Sequence, residues 1–518
     1  MPRTRGGALL RFALAACVVV ACAAATTAVA GLLEVNNIVD EFKLAHPIKI
    51  KGLDLPPPGA PQTLLLIGAD HRYNQGGGIG NTDTMMLARI DDSSSTINLL
   101  SIPRDLEVTF PGGGIAKLNS IYSSLGPKGL LSVLKAQVFP GLQVNHILIV
   151  SFLGFARMID AIGCVYTMVD HRYYNNTLQT DYSSIDIQPG YQRLCGDNAG
   201  ANGALAFVRF RHTDSDLVRE ARQQDFIRWA KDGFSTSYLE SNVNHLLKVF
   251  AENTQTDQSL DSTDGLINIA NLVINANGHT LRSIPFPATG FPTIDGGQYV
   301  QSSPALEEQV YKAFITPTVA PHPAPASSTS TTTTSGAAGK GKAKPHKRAP
   351  QISTAGLIAD PGDGRSQAAQ LGRIGMQVYY PNLITSDSVY CFSVTGNCDE
   401  SPNPPSAYYD SYPRTYGLRA PDGVVYPAYT FTLVINSALG DFYSVQGTTW
   451  MHPPILSIKP SAVQVIDGKT LYEYANGGKI SLVAMRTSHG VYWISNTLED
   501  VIPNSQMVAM AASFTPAP

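Results

Sequence analysis

The chain has 518 residues, with 37 lysines and arginines, 40 aspartates and glutamates, and a formal net charge of −3 at pH 7. This length exceeds one ordinary domain and predicts roughly two to four of them. Nucleic-acid-binding domains usually carry a net basic surface, so the charge balance argues against nucleic acid as a partner. Any anion-binding site must therefore be local.

The N-terminal segment is predicted to anchor the protein in the cell membrane. Residues 12–33 contain no charged side chain and are long enough to cross a bilayer as a helix. Arginines in residues 1–11 predict a cytoplasmic tail and an extracytoplasmic remainder. Two cleavage patterns compete with this interpretation, a small-residue site at 28–30 and a lipoprotein-type site at 19–22. The length of the apolar run favours an uncleaved, single-pass signal anchor.

After a predicted stalk at residues 34–59, residues 60–315 are expected to form an α/β domain. Apolar or β-branched runs alternate with helical patterns, which predicts a layered fold with a central mixed β-sheet flanked by helices. The predicted strands lie at residues 63–67, 84–90, 96–102, 146–152 and 164–169, and the predicted helices at 130–138, 153–162 and 217–234.

Beyond this domain, the composition predicts a linker and a second domain. Residues 316–350 are rich in proline, alanine, serine, threonine and, near their end, lysine, so they cannot build a core. Residues 351–518 are predicted to form a separate, mostly-β C-terminal domain of unknown function, with a hairpin at 469–485. Trp450, Tyr492 and Trp493 could form a binding patch, but aromatic residues in strands more often belong to the core.

Four cysteines lie beyond the N-terminal segment. In an exported chain they are expected to form disulfides, because a metal site would need closer Cys or His spacing. We predict the pairs Cys164 with Cys195 and Cys391 with Cys398.

A dense charged segment at residues 209–224 contains four arginines and three carboxylates. If it is helical from residue 217 onward, Arg219 and Gln223 lie one turn apart on one face. Arg209 and Arg211 could then close the other side of a polyanion site, since guanidinium groups match phosphate oxygens in pairs. A salt-bridged, solvent-facing helix is an equally good interpretation of this segment alone.

The predicted strand ends carry further charged residues. Asp70 ends one strand and Asp83 begins the next, so the two carboxylates can meet and hold magnesium for a phosphorylated ligand. Aspartates in turns are the commoner alternative. Arg104 and Lys117 would add cations at the same sheet edge, where ligands of α/β sheets commonly bind.

Together these segments resemble the LytR-CpsA-Psr family of extracytoplasmic phosphotransferases. The resemblance covers residues 62–234, and the order and spacing of its motifs are specific. The matching motifs are Gly68-x-Asp70-x-Arg72, Asp83-Thr84-Met85, Ser101-Ile102-Pro103-Arg104-Asp105, Lys117-Leu118-Asn119, Arg209-x-Arg211, Asp216, Arg219 and Arg222-Gln223. One departure is Asn81, which stands where the family usually has an arginine and leaves the site one cation short.

The resemblance implies transfer of a glycan phosphate from a polyprenyl diphosphate carrier to a peptidoglycan hydroxyl, with release of polyprenyl phosphate. It implies Mg²⁺, or Mn²⁺ in its place, at Asp70 and Asp83. The implied catalytic residues are Arg104, Arg209, Arg211, Arg219 and Gln223, and Arg72 and Lys117 join them in binding the pyrophosphate. Asp105, Asn119, Asp216 and Arg222 would support these side chains.

Two competing functions stay open at this point, a noncatalytic polyprenyl-phosphate-binding envelope scaffold or regulator, and a pyrophosphatase that cleaves the lipid-linked glycan. The polyprenyl tail would need an apolar channel between sheet and helices. Eight apolar residues could line it, although each is more simply interpreted as core: Leu130, Leu131, Leu134, Val138, Ile147, Ile149, Phe152 and Phe155.

Overall fold

The structure is a computed structural model. No helix in the part of the chain that it describes is long and apolar enough to cross a membrane. The predicted anchor, residues 319–350 of the predicted linker and Arg72 lie outside the described residues. These residues are 48–50, 53, 56, 57, 59–70, 80–175, 185–196, 202–211, 214–233, 236–318, 353–392, 398 and 412–518.

A mixed six-stranded sheet forms the centre of the α/β domain, as predicted. The strands are β1 (Gln62–Asp70), β2 (Asn81–Ile90), β3 (Thr96–Ser101), β4 (His146–Ser151), β5 (Thr254–Thr256) and β6 (Thr280–Ile284). They lie in the order β5-β4-β1-β2-β3-β6 across the sheet. Strand β1 is parallel to β4 and antiparallel to β2, and β3 is parallel to β6.

Helices cover both faces of this sheet. The helices are α1 (Leu118–Val133), α2 (Phe152–Ala161), α3 (Ala204–Arg209), α4 (Asp216–Asp232), α5 (Thr236–Asn253), α6 (Thr263–Asn275) and α7 (Pro304–Ile315). Alternate residues of a strand point to opposite faces, so Leu65 and Ile67 pack into a core with α1 and α7, whereas Leu64 packs against α5 and α6. The continuous apolar run of β1 reflects this double burial.

The predicted strand at 164–169 exists but is not part of the central sheet. Val165–Val169 pairs with Gly190–Leu194 in a separate two-stranded ribbon. A disulfide between Cys164 and Cys195 joins the ends of this ribbon, as predicted. Three further short pairs are Glu107–Thr109 with Ile115–Lys117, Tyr173–Asn175 with Ile185–Ile187, and Thr293–Ile294 with Gly297–Gln298.

The C-terminal domain is mostly β, as predicted, and Cys391 is joined to Cys398. Its elements are α8 (Pro361–Gln370), β7 (Val389–Tyr390), β8 (Arg414–Arg419), β9 (Val425–Asn436), β10 (Asp441–Thr448), β11 (Ala462–Ile466), β12 (Lys469–Asn476), β13 (Lys479–Arg486), β14 (Val491–Ser495) and α9 (Asn504–Ala512). The strands form a large sheet in the order β7-β9-β10-β14-β13-β12-β11, and β8 also pairs with β9. Two small pairs complete it, Leu357–Ala359 with Leu383–Thr385 and Tyr379–Pro381 with Phe514–Pro516.

This domain packs directly against the α/β domain through the ribbon. The Tyr191 N–H donates to Gln446 Oε1 at 2.9 Å, and the Thr432 hydroxyl donates to the Asp170 carbonyl at 3.2 Å. Tyr191 and Trp493 are both buried in the shared apolar cluster, with edge-to-face rings. Tyr492 is also fully buried, so Tyr492 and Trp493 belong to the core. Trp450 is only half-buried and stacks on Tyr426, with ring centres 5.4 Å apart.

Candidate active site

The site lies where β1 and β2 meet. Gly68 pairs with Thr84 and Ala69 with Thr82, so Asp83 is the extra residue of a β-bulge. A Cβ at Gly68 would lie only 3.1 Å from the Thr84 Cβ, so glycine permits this close approach. Bulges reorient side chains, and here the bulge coincides with the Asp83 carboxylate that the arginines contact.

Three arginines from different elements converge on Asp83. Arg104 Nη1 donates to Asp83 Oδ1, and Arg209 Nη2 lies 3.8 Å from the other carboxylate oxygen. Arg219, on α4, donates from Nη2 to the Asp83 carbonyl at 2.8 Å. The strand end, the segment after β3 and the helical charged segment therefore form one site.

Two further carboxylates hold the cations in place. Asp105 lies 3.0 Å from Lys117 Nζ and 3.0 Å from Arg211 Nη2. Asp216 Oδ1 lies 2.7 Å from Arg219 Nη2 and 3.5 Å from Arg211 Nε. Burial raises the pKa of Asp216, and its arginine neighbours only partly offset this effect.

The start of α4 explains why Asp216 and Arg219 lie here. Ser215 caps the helix, its hydroxyl accepting the Val218 N–H at 3.3 Å, and Asp216 lies in the first turn, where the helix dipole favours a negative charge. The helix predicted at 217–234 is thus confirmed with slightly different ends.

Several buried polar atoms at the site have no hydrogen-bond partner among the described residues. They are Gln223 Oε1, Arg219 Nε and Arg104 Nε. Gln223 is held by its Nε2, which donates to Thr84 Oγ1 at 2.9 Å and to the Val208 carbonyl at 3.0 Å. Because buried polar atoms are normally paired, these atoms favour a polar ligand.

The site carries an excess of positive charge. Among the described side chains, these ion pairs join five cations, Arg104, Lys117, Arg209, Arg211 and Arg219, to three carboxylates, Asp83, Asp105 and Asp216, and they leave two positive charges when all three carboxylates are ionised. Burial raises the pKa of the nearby Glu220 well above its ordinary value, which disfavours a fourth negative charge. Arg209 and Arg211 keep 31% and 34% of their side chains exposed. A doubly charged phosphate group therefore has accessible partners.

Arg222 belongs to the same charged segment but lies behind the site. Its side chain is 0% exposed, pairs with Asp214 and donates to the carbonyls of Phe207 and Phe210 at 3.2 and 2.8 Å. Its guanidinium also lies 4.4 Å from the centre of the Tyr173 ring. Arg222 therefore anchors the segment that carries Arg209 and Arg211.

The remaining predicted residues are placed as follows. The Asn119 N–H donates to the Arg104 carbonyl at 2.9 Å, which ties the start of α1 to the site. The backbone of Asp70 pairs with Asn81, two residues before Asp83, and Asn81 is exposed. Six of the eight candidate channel residues belong to the core between the sheet and α1, as the simpler interpretation predicted. These are Leu130, Leu131, Leu134, Val138, Ile147 and Ile149.

Three residues near the site were given no role by the sequence analysis. Glu220 is buried, and burial raises its pKa well above the ordinary value. Its spacing of four from Asp216 was the signal that could have identified it. Thr84 accepts a hydrogen bond from Gln223, and the Tyr299 ring centre lies 5.3 Å from Lys117 Nζ. Tyr299 lies far along the chain, so no local pattern indicated its position.

Comparison with known proteins agrees with this geometry. The model of the LytR_cpsA_psr family matches residues 36–314. The polyisoprenyl-teichoic acid–peptidoglycan teichoic acid transferase TagU of Oceanobacillus iheyensis is 30% identical over 235 residues, 43% of this chain and 69% of that protein. The probable cell wall biosynthesis protein LcpB of Corynebacterium glutamicum is 33% identical over 175 residues, 31% of this chain and 39% of that protein.

Among solved structures, the crystal structure of TagV from B. subtilis is 22% identical, with a TM-score of 0.41 over 50% of this chain and 97% of that one. The family model covers more than half of the chain, including every element that builds the site. This chain belongs to the LytR_cpsA_psr family.

Proposed function

We propose that the protein is a membrane-anchored extracytoplasmic phosphotransferase, a glycopolymer–peptidoglycan ligase. It would move a glycan phosphate from a polyprenyl diphosphate carrier to a peptidoglycan hydroxyl and release polyprenyl phosphate. The observation that carries this proposal is the convergence of Arg104, Arg209 and Arg219 at Asp83, within a site that has two excess positive charges. Family membership and the transferase activity for which TagU is named support it.

The residues suit this chemistry. In the transfer, the acceptor hydroxyl oxygen bonds to the glycan-side phosphorus while the bridging P–O bond breaks. The electron pair of that bond leaves with polyprenyl phosphate, and the hydroxyl proton passes to solvent or to an oxygen of the leaving phosphate. Such a step needs positioning and charge neutralisation more than covalent catalysis. Arg209 and Arg211, which are the most exposed cations of the site, would contact the phosphate oxygens first. Arg219 would donate from its unpaired buried Nε to the same group, whereas Gln223 Oε1 is an acceptor and would suit a hydroxyl of the ligand.

We propose Mg²⁺, with Mn²⁺ as a substitute, as the cofactor. Hard cations bind through one or two carboxylates plus phosphate oxygens, and the partly exposed Asp83 carboxylate fits this requirement. Asp70, at the end of the neighbouring strand, is the proposed second ligand. When bound, the ion would neutralise charge on the diphosphate. Loss of the Asp83 carboxylate would also release Arg104, which donates to it.

The test mixes purified protein, a polyprenyl-diphosphate-linked sugar and peptidoglycan fragments, and follows the phosphate. We expect a covalent glycan-phosphate on the fragment, no magnesium-dependent turnover by Asp83→Ala, and neither binding nor turnover by Arg219→Ala. Arg157→Ala, an exposed arginine on α2, is the control and should behave as wild type.

Other outcomes would identify the competing functions. Free sugar phosphate without an adduct would identify a pyrophosphatase. Tight binding of the lipid without any turnover would refute both enzymatic functions and leave an envelope scaffold or regulator.

A further inference from the structure

A cavity of about 330 Å³ lies between the α/β domain and the C-terminal domain. We call it the interdomain cavity. Its walls are the last turn of α4, the turn before β6, and the β12–β13 hairpin with the chain at 455–461. Arg219 lies twelve residues before Lys231 of this last turn, so the cavity is ~18 Å along the helix from the phosphate-binding arginines. It is thus a separate site.

Two polar atoms in the cavity wall, His279 Nδ1 and Asn476 Oδ1, are buried and have no hydrogen-bond partner in the part of the chain that the structure describes. Burial lowers the pKa of His279, so its imidazole is neutral at pH 7 and has one donor and one acceptor nitrogen. Asn476 contributes a carbonyl-type acceptor. Buried polar atoms normally have hydrogen-bond partners. His279 and Asn476 therefore favour a ligand whose groups both donate and accept hydrogen bonds, as hydroxyl groups do.

The charge at the rim favours an anion. Lys231 Nζ lies 3.2 Å from Asp232, and Arg228 pairs with Asp225, so these cations are compensated. Lys459 is exposed and has no ion pair among the described residues. Lys459 is therefore the rim cation that can pair with an anionic group, whereas the carboxylates of Asp92 and Asp91 act on His279.

The rest of the wall is apolar. Trp229 donates its indole N–H to Asp225 at 2.8 Å, so its polar group is already paired and the tryptophan contributes apolar surface to the wall. Ile455, Ile458 and Leu482 contribute further apolar wall. Small-molecule sites combine such walls with a few placed polar groups. A pyranose ring has both properties, with apolar C–H surfaces and hydroxyl groups around its edge.

We propose that the interdomain cavity is a noncatalytic binding site for a sugar unit that carries a carboxylate or a phosphate. The anionic substituent would pair with Lys459, and the hydroxyl groups would bond to His279 and Asn476. Two glycans supply this chemistry, the lactyl-bearing sugar of peptidoglycan and a phosphorylated glycopolymer. Binding at this site does not depend on transfer at the arginine site.

The test is calorimetric titration of the full-length protein carrying Arg219→Ala, so that the phosphate site is weakened. The probes are a peptide-free peptidoglycan tetrasaccharide, an oligosaccharide phosphate, neutral chitotetraose and inorganic tripolyphosphate. At least one anionic glycan should bind. Lys459→Glu and Asn476→Leu should each weaken it about tenfold or more, as the loss of one charged or buried hydrogen bond predicts.

Lys128→Glu, an exposed lysine on α1, is the matched control and should not change binding. Thermal unfolding checks that the variants are folded, and Lys459 is exposed, so its substitution leaves the core unchanged. Binding of only the tetrasaccharide, or of only the oligosaccharide phosphate, supports the proposal and identifies the source. Equally tight binding of tripolyphosphate or chitotetraose, no binding of either anionic glycan, or unchanged affinity in both variants would overturn it.

Discussion

Within the charged segment at 209–224, we expect Arg222→Met and Arg211→Met to have different effects, one on stability and the other on activity. Arg222 is fully buried and bonds to Asp214 and to two backbone carbonyls, whereas Arg211 keeps a third of its side chain exposed. Methionine retains much of the length of the arginine stem without its charge. We therefore expect Arg222→Met to destabilise the fold and Arg211→Met to impair activity.

The expected magnitudes differ clearly. Breaking a buried ion pair by removing one partner costs ~3–5 kcal/mol, because the other charge stays buried without compensation. At ~2–4 °C per kcal/mol for domains of 150–250 residues, the unfolding temperature of Arg222→Met should fall by ~6–20 °C. A more exposed pair contributes ~0–1 kcal/mol, so Arg211→Met should unfold within ~4 °C of wild type. Its turnover should nevertheless fall ~10²–10³-fold, as on loss of one group that stabilises transition-state charge.

Thermal unfolding followed by circular dichroism measures the first effect, and the phosphate-transfer assay measures the second. Adding Asp214→Asn to Arg222→Met removes the unpaired carboxylate and should restore part of the stability. The reasoning is refuted if Arg222→Met unfolds within a few degrees of wild type, or if Arg211→Met is the less stable variant.

Two further predictions concern the C-terminal domain, and both are measured by thermal unfolding. Burial raises the pKa of Asp500 from 3.8 to about 7, so its contribution to stability is complete below the lower value and is lost as the pH rises through the higher one. The free energy of unfolding of Asp500→Asn, measured relative to that of wild type, should therefore rise between pH 4 and pH 8. A difference between the two proteins that does not change with pH would contradict this. A Cβ at Gly440 (φ 68°) would lie 2.6 Å from Val218 Cγ1, whereas Gly423 (φ 89°) has nothing within 4 Å. Gly440→Ala should thus cost more stability than Gly423→Ala, and equal losses would exclude the contact with α4.

Local patterns in the sequence were sufficient for the elements that build the site. The apolar runs of β1 to β4 and the helix from Asp216 were predicted because strand and helix periodicity are properties of neighbouring residues. The two disulfides were predicted from the expected export and from the number of cysteines, and the structure contains both. The order of the charged motifs indicated the family, and the family model agrees.

Packing between distant segments decided what local patterns could not. Arg219 and Arg222 are three residues apart and chemically identical, but α4 turns Arg219 towards Asp83 and Arg222 into a pocket of Phe207, Phe210 and Tyr173. The sequence by itself determined the residue types, the helix that carries them and the family. The resemblance assigned Arg219 to the site and Arg222 to its support, but only the tertiary structure gave the physical reason, because the direction of each side chain depends on which surfaces the rest of the chain buries.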